Sequence, residues 1–143
     1  MYKCKFFEIH ELVPPELMSL PEDYLWGLFD ENLLKVIDTL RKSLAKPITI
    51  NTWKSGGEFS LRGFRPKNCK IGATASPHKK GKALDFDVHG MTAQQVRDYI
   101  VTNQKKFPEI KRMEKDVTWV HIDTVPHGTT PLYLFNPWLN INS

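Results

Sequence analysis

The stretch Ser76-Pro77-His78-Lys79-Lys80-Gly81-Lys82-Ala83-Leu84-Asp85 constrains this chain more than any other, because it delivers an imidazole and a carboxylate across one small-residue turn. Gly81 offers a position for backbone angles that a side chain resists, and Ala83 lets the chain pass close to a neighbouring strand. From Ala83 the residues alternate, with Ala83, Asp85 and Asp87 on one face and Leu84, Phe86 and Val88 on the other, the period of a strand that packs one side into a core. Asp85 then points into a site while its neighbours pack. A second alternating segment puts Val117, Trp119, His121 and Asp123 on one face and Thr118, Val120 and Ile122 on the other. Two imidazoles and one carboxylate are a common protein contribution to a catalytic zinc, which keeps its fourth position for water or substrate. The reading is a Zn2+ site of His78, Asp85 and His121. Asp123, on the face of His121, is placed to orient a ligand imidazole, and Asp87 is a weaker candidate for the same work.

These residues also carry a family likeness. Ser-x-His-x-x-Gly-x-Ala-x-Asp is complete here as Ser76, His78, Gly81, Ala83 and Asp85, and a Trp119-x-His121-x-Asp123 segment follows. The pair of motifs resembles the zinc peptidases of the D-Ala-D-Ala carboxypeptidase type, which share a metal-site architecture with the hedgehog signalling domain. From Trp53 to Asp123 the layout is similar to small phage and prophage wall peptidases, the endolysin-like members. The resemblance implies zinc ligation by His78, Asp85 and His121, and makes Ser76 the motif serine that holds the His78 loop by hydrogen bonding. It implies peptidoglycan stem or cross-link peptides with D-amino acids as substrate. It also implies an arginine, upstream of the first histidine, that steadies a substrate carbonyl or carboxylate oxygen. Arg62 and Arg65 both fit that description.

Many such peptidases carry an acidic general base three positions before the second histidine, and here that position is Thr118. Glu114 and Asp116 are the acids near enough to replace it. If Lys115 and Asp116 formed a two-residue hairpin, Glu114 would pair with Val117, roughly 13 Å along the strand from His121 at about 3.3 Å per residue. A general base must come within hydrogen-bonding reach of the proton it takes. Glu114 therefore serves only if segment 114–118 bulges or curls back, and it ranks first, with Asp116 second. Thr118 at the usual base position also supports a competing class, a non-catalytic zinc-binding module that recognises a cell-wall or protein partner.

The rest of the chain reads as scaffold. At 143 residues and 41% hydrophobic it is one domain, 1–143, able to bury a core. Phe6 to Ile9 reads as a strand or arm that ends at Pro14-Pro15. Ser19-Leu20-Pro21-Glu22 has the form of a capping box. Helical spacing of Phe29, Leu33, Val36, Ile37, Leu40 and Leu44 predicts a helix over about 30–46, ended by Pro47. Strands are expected over 48–53 and 110–114, and a helix from the capping box at Thr92 to about Asn103. The tail aromatics are expected against the helices, with a part in a substrate cleft as the alternative.

The sum is a single α+β domain, which the resemblance makes similar to the hedgehog/D-Ala-D-Ala peptidases. Helices pack on one face of a mostly antiparallel sheet, and zinc sits on the other. His10, His89 and His127 read as loop or surface histidines, the last two being spare ligands. Cys4 and Cys69 lack the spacing of a metal or disulfide framework. A net charge of +4 without any run of five basic residues makes nucleic acid an unexpected partner. With no secretory or membrane-spanning pattern in the sequence, the expectation is a monomer made in the cytoplasm that reaches the cell wall after release.

Overall fold

Leu33, Leu34, Val36, Ile37 and Leu40 lie on one flank of helix α2, Glu31–Leu44, and each is 1% exposed or less. Asp30 caps this helix by accepting the N–H of Asn32 at 3.0 Å. Ala45 ends it in the left-handed conformation at φ 54°, just before Pro47, which cannot donate to a continuing helix. The computed structural model describes residues 1–71 and 76–138. Helix α1, Glu22–Trp26, precedes α2, and α3, Ala93–Thr102, follows it in the chain. The α3 start is as expected: Thr92 Oγ1 accepts from the Gln95 N–H while Gln95 Oε1 accepts from the Thr92 N–H. The Ser19 capping box does not form. Pro21 occupies the cap position of α1, which moves the helix start beyond the reach of the Ser19 hydroxyl, and no side chain caps it.

Five strands form one sheet: β1 (Ile48–Thr49), β2 (Ala83–Val88), β3 (Arg112–Glu114), β4 (Val120–Asp123) and β5 (Tyr133–Phe135). Their order is β1-β2-β4-β3-β5, antiparallel except for the β3–β5 pair. Leu84, Phe86, Met113, Val120 and Ile122 join the α2 residues in one core. Period-two alternation therefore leaves Asp85, Arg112, Glu114, His121 and Asp123 on the opposite face. The α+β expectation holds, and this second face is where the site lies. Among the described residues, no helix is long and apolar enough to cross a membrane.

Four local expectations are corrected. The N-terminal arm is not a strand but two 3-10 turns, Ile9–Glu11 and Pro15–Leu17, because Glu8 and Glu11 satisfy each other's backbone around the first. The strand at 48–53 pairs only through Thr49, since Asn51 turns to the arm instead: its N–H donates to Glu11 O at 3.0 Å and its Nδ2 to Val13 O at 3.2 Å. The strand drawn over 117–123 begins only at Val120, because the carbonyls of Val117 and Trp119 are taken by Arg97. The tail aromatics Tyr133 and Phe135 do not pack on the helices but extend the sheet alongside β3, while Leu132 and Leu134 pack against the core.

Candidate metal centre

The register of β2 on β4 sets Asp85 directly opposite His121. His78 arrives from a 3-10 turn, Pro77–Lys80, whose first N–H groups would be orphaned without a cap; Ser76 Oγ accepts the His78 N–H at 3.3 Å. Gly81 closes the turn at φ 67°, and a Cβ there would stand 2.0 Å from the Leu28 carbonyl oxygen. Only glycine fits both the angle and the space. Ala83, the other small residue, pairs with Asp123 across β4.

Each imidazole has one nitrogen tied away from the centre. His78 Nδ1 lies 2.9 Å from the Gly63 carbonyl, which can only accept, so Nδ1 carries the proton and Nε2 is left with its lone pair. That Nε2 faces Asp85 Oδ2 at 3.3 Å. His121 Nε2 lies 2.9 Å from Asp123 Oδ2, and its Nδ1 lies 2.7 Å from Asp85 Oδ1. One ligand atom from each of His78, Asp85 and His121 falls within 4.8 Å of the others, and all three residues are buried. Two imidazole nitrogens converging on a carboxylate, each ring braced through its far nitrogen, make a donor set that fits zinc.

The charges agree. Burial by itself would raise the Asp85 carboxyl, but the charge that His78 carries when both its ring nitrogens are protonated, with the hydrogen bonds that His121 and such a His78 donate, holds it well below the usual carboxylate range. Burial would lower His121, yet its bonds to Asp123 and Asp85, with the charges of Asp85 and Glu114, push it up to about 10. Asp123 is raised by burial but held down overall by its bonds from His121 and Arg112. A proton on His121 thus supplies, in the metal-free protein, the positive charge that this cluster of carboxylates demands.

A cleft of about 170 Å³ opens over the group. Glu114 lines it, with Oε1 3.9 Å from His121 Nδ1 and held by the Trp119 indole N–H at 3.2 Å. Arg112 and Met113 pair with Asp123 and Ile122, so the same register carried one residue further sets Glu114 across from His121. The two-residue hairpin that would have kept them apart is replaced by a wide loop. Asp116 is not at the centre: it is exposed at φ 62° in that loop, where its Oδ2 accepts from Asn136 Nδ2 at 3.0 Å. The turn of the loop carries its side chain outward.

The two candidate arginines separate. Arg65 lines the cleft, with Nε on the Leu61 carbonyl at 2.8 Å and a terminal nitrogen 3.4 Å from Asp85 Oδ2. Arg62 turns into the adjoining hollow, paired with Asp87 Oδ2 at 3.0 Å and stacked on Phe59 at 4.2 Å. Asp87 is thereby occupied with Arg62 and supports no ligand imidazole. His89 is exposed in a turn, His127 is stacked on Tyr133 at 3.7 Å, and His10 pairs with Glu8; none joins the centre.

Arg112 has no role in the reading of the sequence, and Phe135 is one of the tail aromatics for which a place in the cleft is the second expectation. Arg112 Nε donates to both oxygens of Asp123, at 2.9 and 3.1 Å, and Phe135 meets His121 edge-on at 6.1 Å. The polar-apolar-polar run Arg112-Met113-Glu114 was the available signal for the first, since it places Arg112 on the face of Glu114.

A buried His-Asp-His group on the open face of an antiparallel sheet, with a carboxylate and a guanidinium beside it, is the arrangement of a metallopeptidase. The family profile described as Peptidase M15 matches residues 10–123, and the chain belongs to that family. No curated protein and no solved structure matches it.

Proposed function

We propose that the chain is a zinc-dependent peptidase that hydrolyses D-amino-acid-containing stem or cross-link peptides of peptidoglycan, as a carboxypeptidase or endopeptidase of the D-Ala-D-Ala type. In this reading it is an endolysin-like member of phage or prophage origin, made in the cytoplasm and acting on the wall after release. The observation that carries the catalytic part is the convergence of His78 Nε2 and His121 Nδ1 on Asp85, with Glu114 Oε1 3.9 Å from His121 Nδ1.

His78, Asp85 and His121 would hold the zinc. When bound, it supplies Lewis-acid polarisation of the scissile carbonyl and acidifies water toward a pKa of about 7. Glu114 accepts the proton of the attacking water and passes it to the leaving amine. Trp119 keeps that carboxylate from rotating by occupying Oε1 and leaves Oε2 without a partner among the described residues. Arg65, anchored through Nε on Leu61, donates to the oxygen on which charge develops or to a substrate carboxylate. Asp123 and the Gly63 carbonyl keep the two imidazoles in the tautomers that ligation needs.

The test is release of free amines from purified peptidoglycan by zinc-loaded protein, beside chelator-treated protein and His121→Ala. Chelator-sensitive release that is absent in the variant supports the reading. Fully zinc-loaded protein that leaves both peptidoglycan and defined D-amino-acid peptides uncut overturns it, and favours a zinc-binding recognition module.

A further inference from the structure

We propose that Arg97, on α3, is a positioning residue for Glu114 and acts on it through the 115–119 loop; the proposal rests on the peptidase reading. Arg97 is 3% exposed, and no carboxylate contacts it among the described residues. A buried guanidinium with no carboxylate in contact must have its N–H donors matched by fixed acceptors. Here NH1 donates to the Trp119 carbonyl at 2.9 Å and NH2 to the Val117 carbonyl at 3.0 Å, while Gln94 Oε1 accepts from Nε at 3.2 Å and from NH2 at 3.1 Å.

The two loop carbonyls are two residues apart and both turn toward the same guanidinium. Residues 117 and 119 are thereby withdrawn from the β-ladder, and β4 starts at Val120. The loop is wide for this reason, and its width is what lets Glu114 stand across from His121 instead of Val117. The second effect is on Trp119 itself. With its carbonyl pinned from the helix side, its indole N–H reaches Glu114 Oε1 at 3.2 Å. A continuous path therefore runs from Arg97 to the Trp119 backbone, to the indole, to the carboxylate over the metal group. Arg97 touches neither the metal ligands nor the cleft, so its loss should disturb the orientation of Glu114 and leave the donor set standing.

The experiment compares Arg97→Met, which keeps length and removes every donor, with Arg97→Lys and Gln94→Ala. Zinc content, kcat and KM on a defined peptide, and the indole 1H–15N resonance of Trp119 are measured for each. That resonance is assigned by its absence in Trp119→Phe, and its shift on loss of the carboxylate is defined by Glu114→Gln. Arg97→Met is expected to retain stoichiometric zinc and a KM within about twofold, with kcat reduced roughly ten- to hundredfold. Its indole resonance should move toward the Glu114→Gln position, and Arg97→Lys should recover part of both. A folded Arg97→Met with either kcat or the indole resonance unchanged overturns the proposal. If Arg97→Met does not fold, Gln94→Ala and Arg97→Lys decide by the same two readouts, with smaller shifts in the same direction expected. Should the wild-type protein cleave nothing, the peptidase reading falls, and the resonance alone decides whether Arg97 holds Trp119 on Glu114.

Discussion

His121 and Asp123, two residues apart on β4, are joined by a 2.9 Å hydrogen bond from Nε2 to Oδ2, and Asp123 is itself fully buried. The carboxylate is held from two other sides, by Arg112 Nε and by the Val125 N–H at 3.1 Å. A ring bonded to so fixed a partner cannot turn, and its Nδ1 is left aimed at Asp85. Asp123→Asn should therefore weaken zinc binding roughly ten- to hundredfold, as loss of a ligand's orienting partner does. Competition against a chromophoric chelator measures it, and an unchanged affinity would rule out the orienting role.

Glu114 and Asp116 are both acids near His121 in sequence, but only the first lines the cleft. Glu114→Gln should cost roughly 10²–10⁴ in kcat while zinc content holds, the usual scale for removing a general base. Asp116→Asn should leave kcat within about threefold, because its side chain is committed to Asn136. Steady-state kinetics of the two variants on one peptide would expose a wrong assignment if their order reversed.

Zinc uptake should release a proton. His121 is pushed up to about 10 in the metal-free protein, so it is charged at pH 7 and must give up its Nδ1 proton to become a ligand. Apparent affinity should rise about tenfold per pH unit from pH 7 toward 9. Calorimetry in buffers of different ionisation enthalpy counts the proton, and a count of zero contradicts the assignment.

The same shift sets the stability of the metal-free protein. For a group raised from 6.5 to about 10 on folding, the stabilisation is full below 6.5 and is lost as pH climbs through 10. Asp85 runs the other way: its carboxyl is lowered from 3.8, so its contribution is full above that value and fades as the solution is acidified further. Denaturation midpoints of metal-free protein should fall from pH 7 to 10, and a flat profile would show that His121 is not charged in the folded state.

Gly81→Ala should destabilise the fold by more than Gly90→Ala, although both glycines have positive φ, 67° and 78°. Left-handed strain costs each about 1 kcal/mol. At Gly81 a Cβ also meets the Leu28 carbonyl at 2.0 Å, whereas at Gly90 nothing lies within 4 Å. The difference should reach about 2 kcal/mol or more in urea unfolding, with zinc affinity falling only in Gly81→Ala.

What was legible in the sequence was chemistry carried by short, local patterns. The turn of Ser76 to Asp85, the alternation of β2, and the cap at Thr92 depend on neighbours a few residues apart, and each forms as read. Glu114 ranked first among the acids, but its reach to His121 was not legible, because that distance depends on the loop between β3 and β4, whose carbonyls are held by Arg97 some twenty residues earlier. Arg65 could not be told from Arg62 for a similar reason: only the ion pair of Arg62 with Asp87 draws one of them aside. The parallel pairing of β5 on β3 joins segments that no hairpin links, and an aromatic tail carries no mark of its partner strand.

Phe135 stands beyond residue 123, where the family match ends, yet it forms a wall of the cleft and its strand covers the outer edge of β3. A fragment cut at residue 123 would keep every ligand and still expose the N–H and C=O row of β3 to other chains, an invitation to self-association. The chain divides its labour along its length. One stretch carries the candidate ligands and a later one shapes the entrance, yet Phe135 lies against His121 and beneath the Arg112 guanidinium, so a change in the second stretch reaches the first through these contacts.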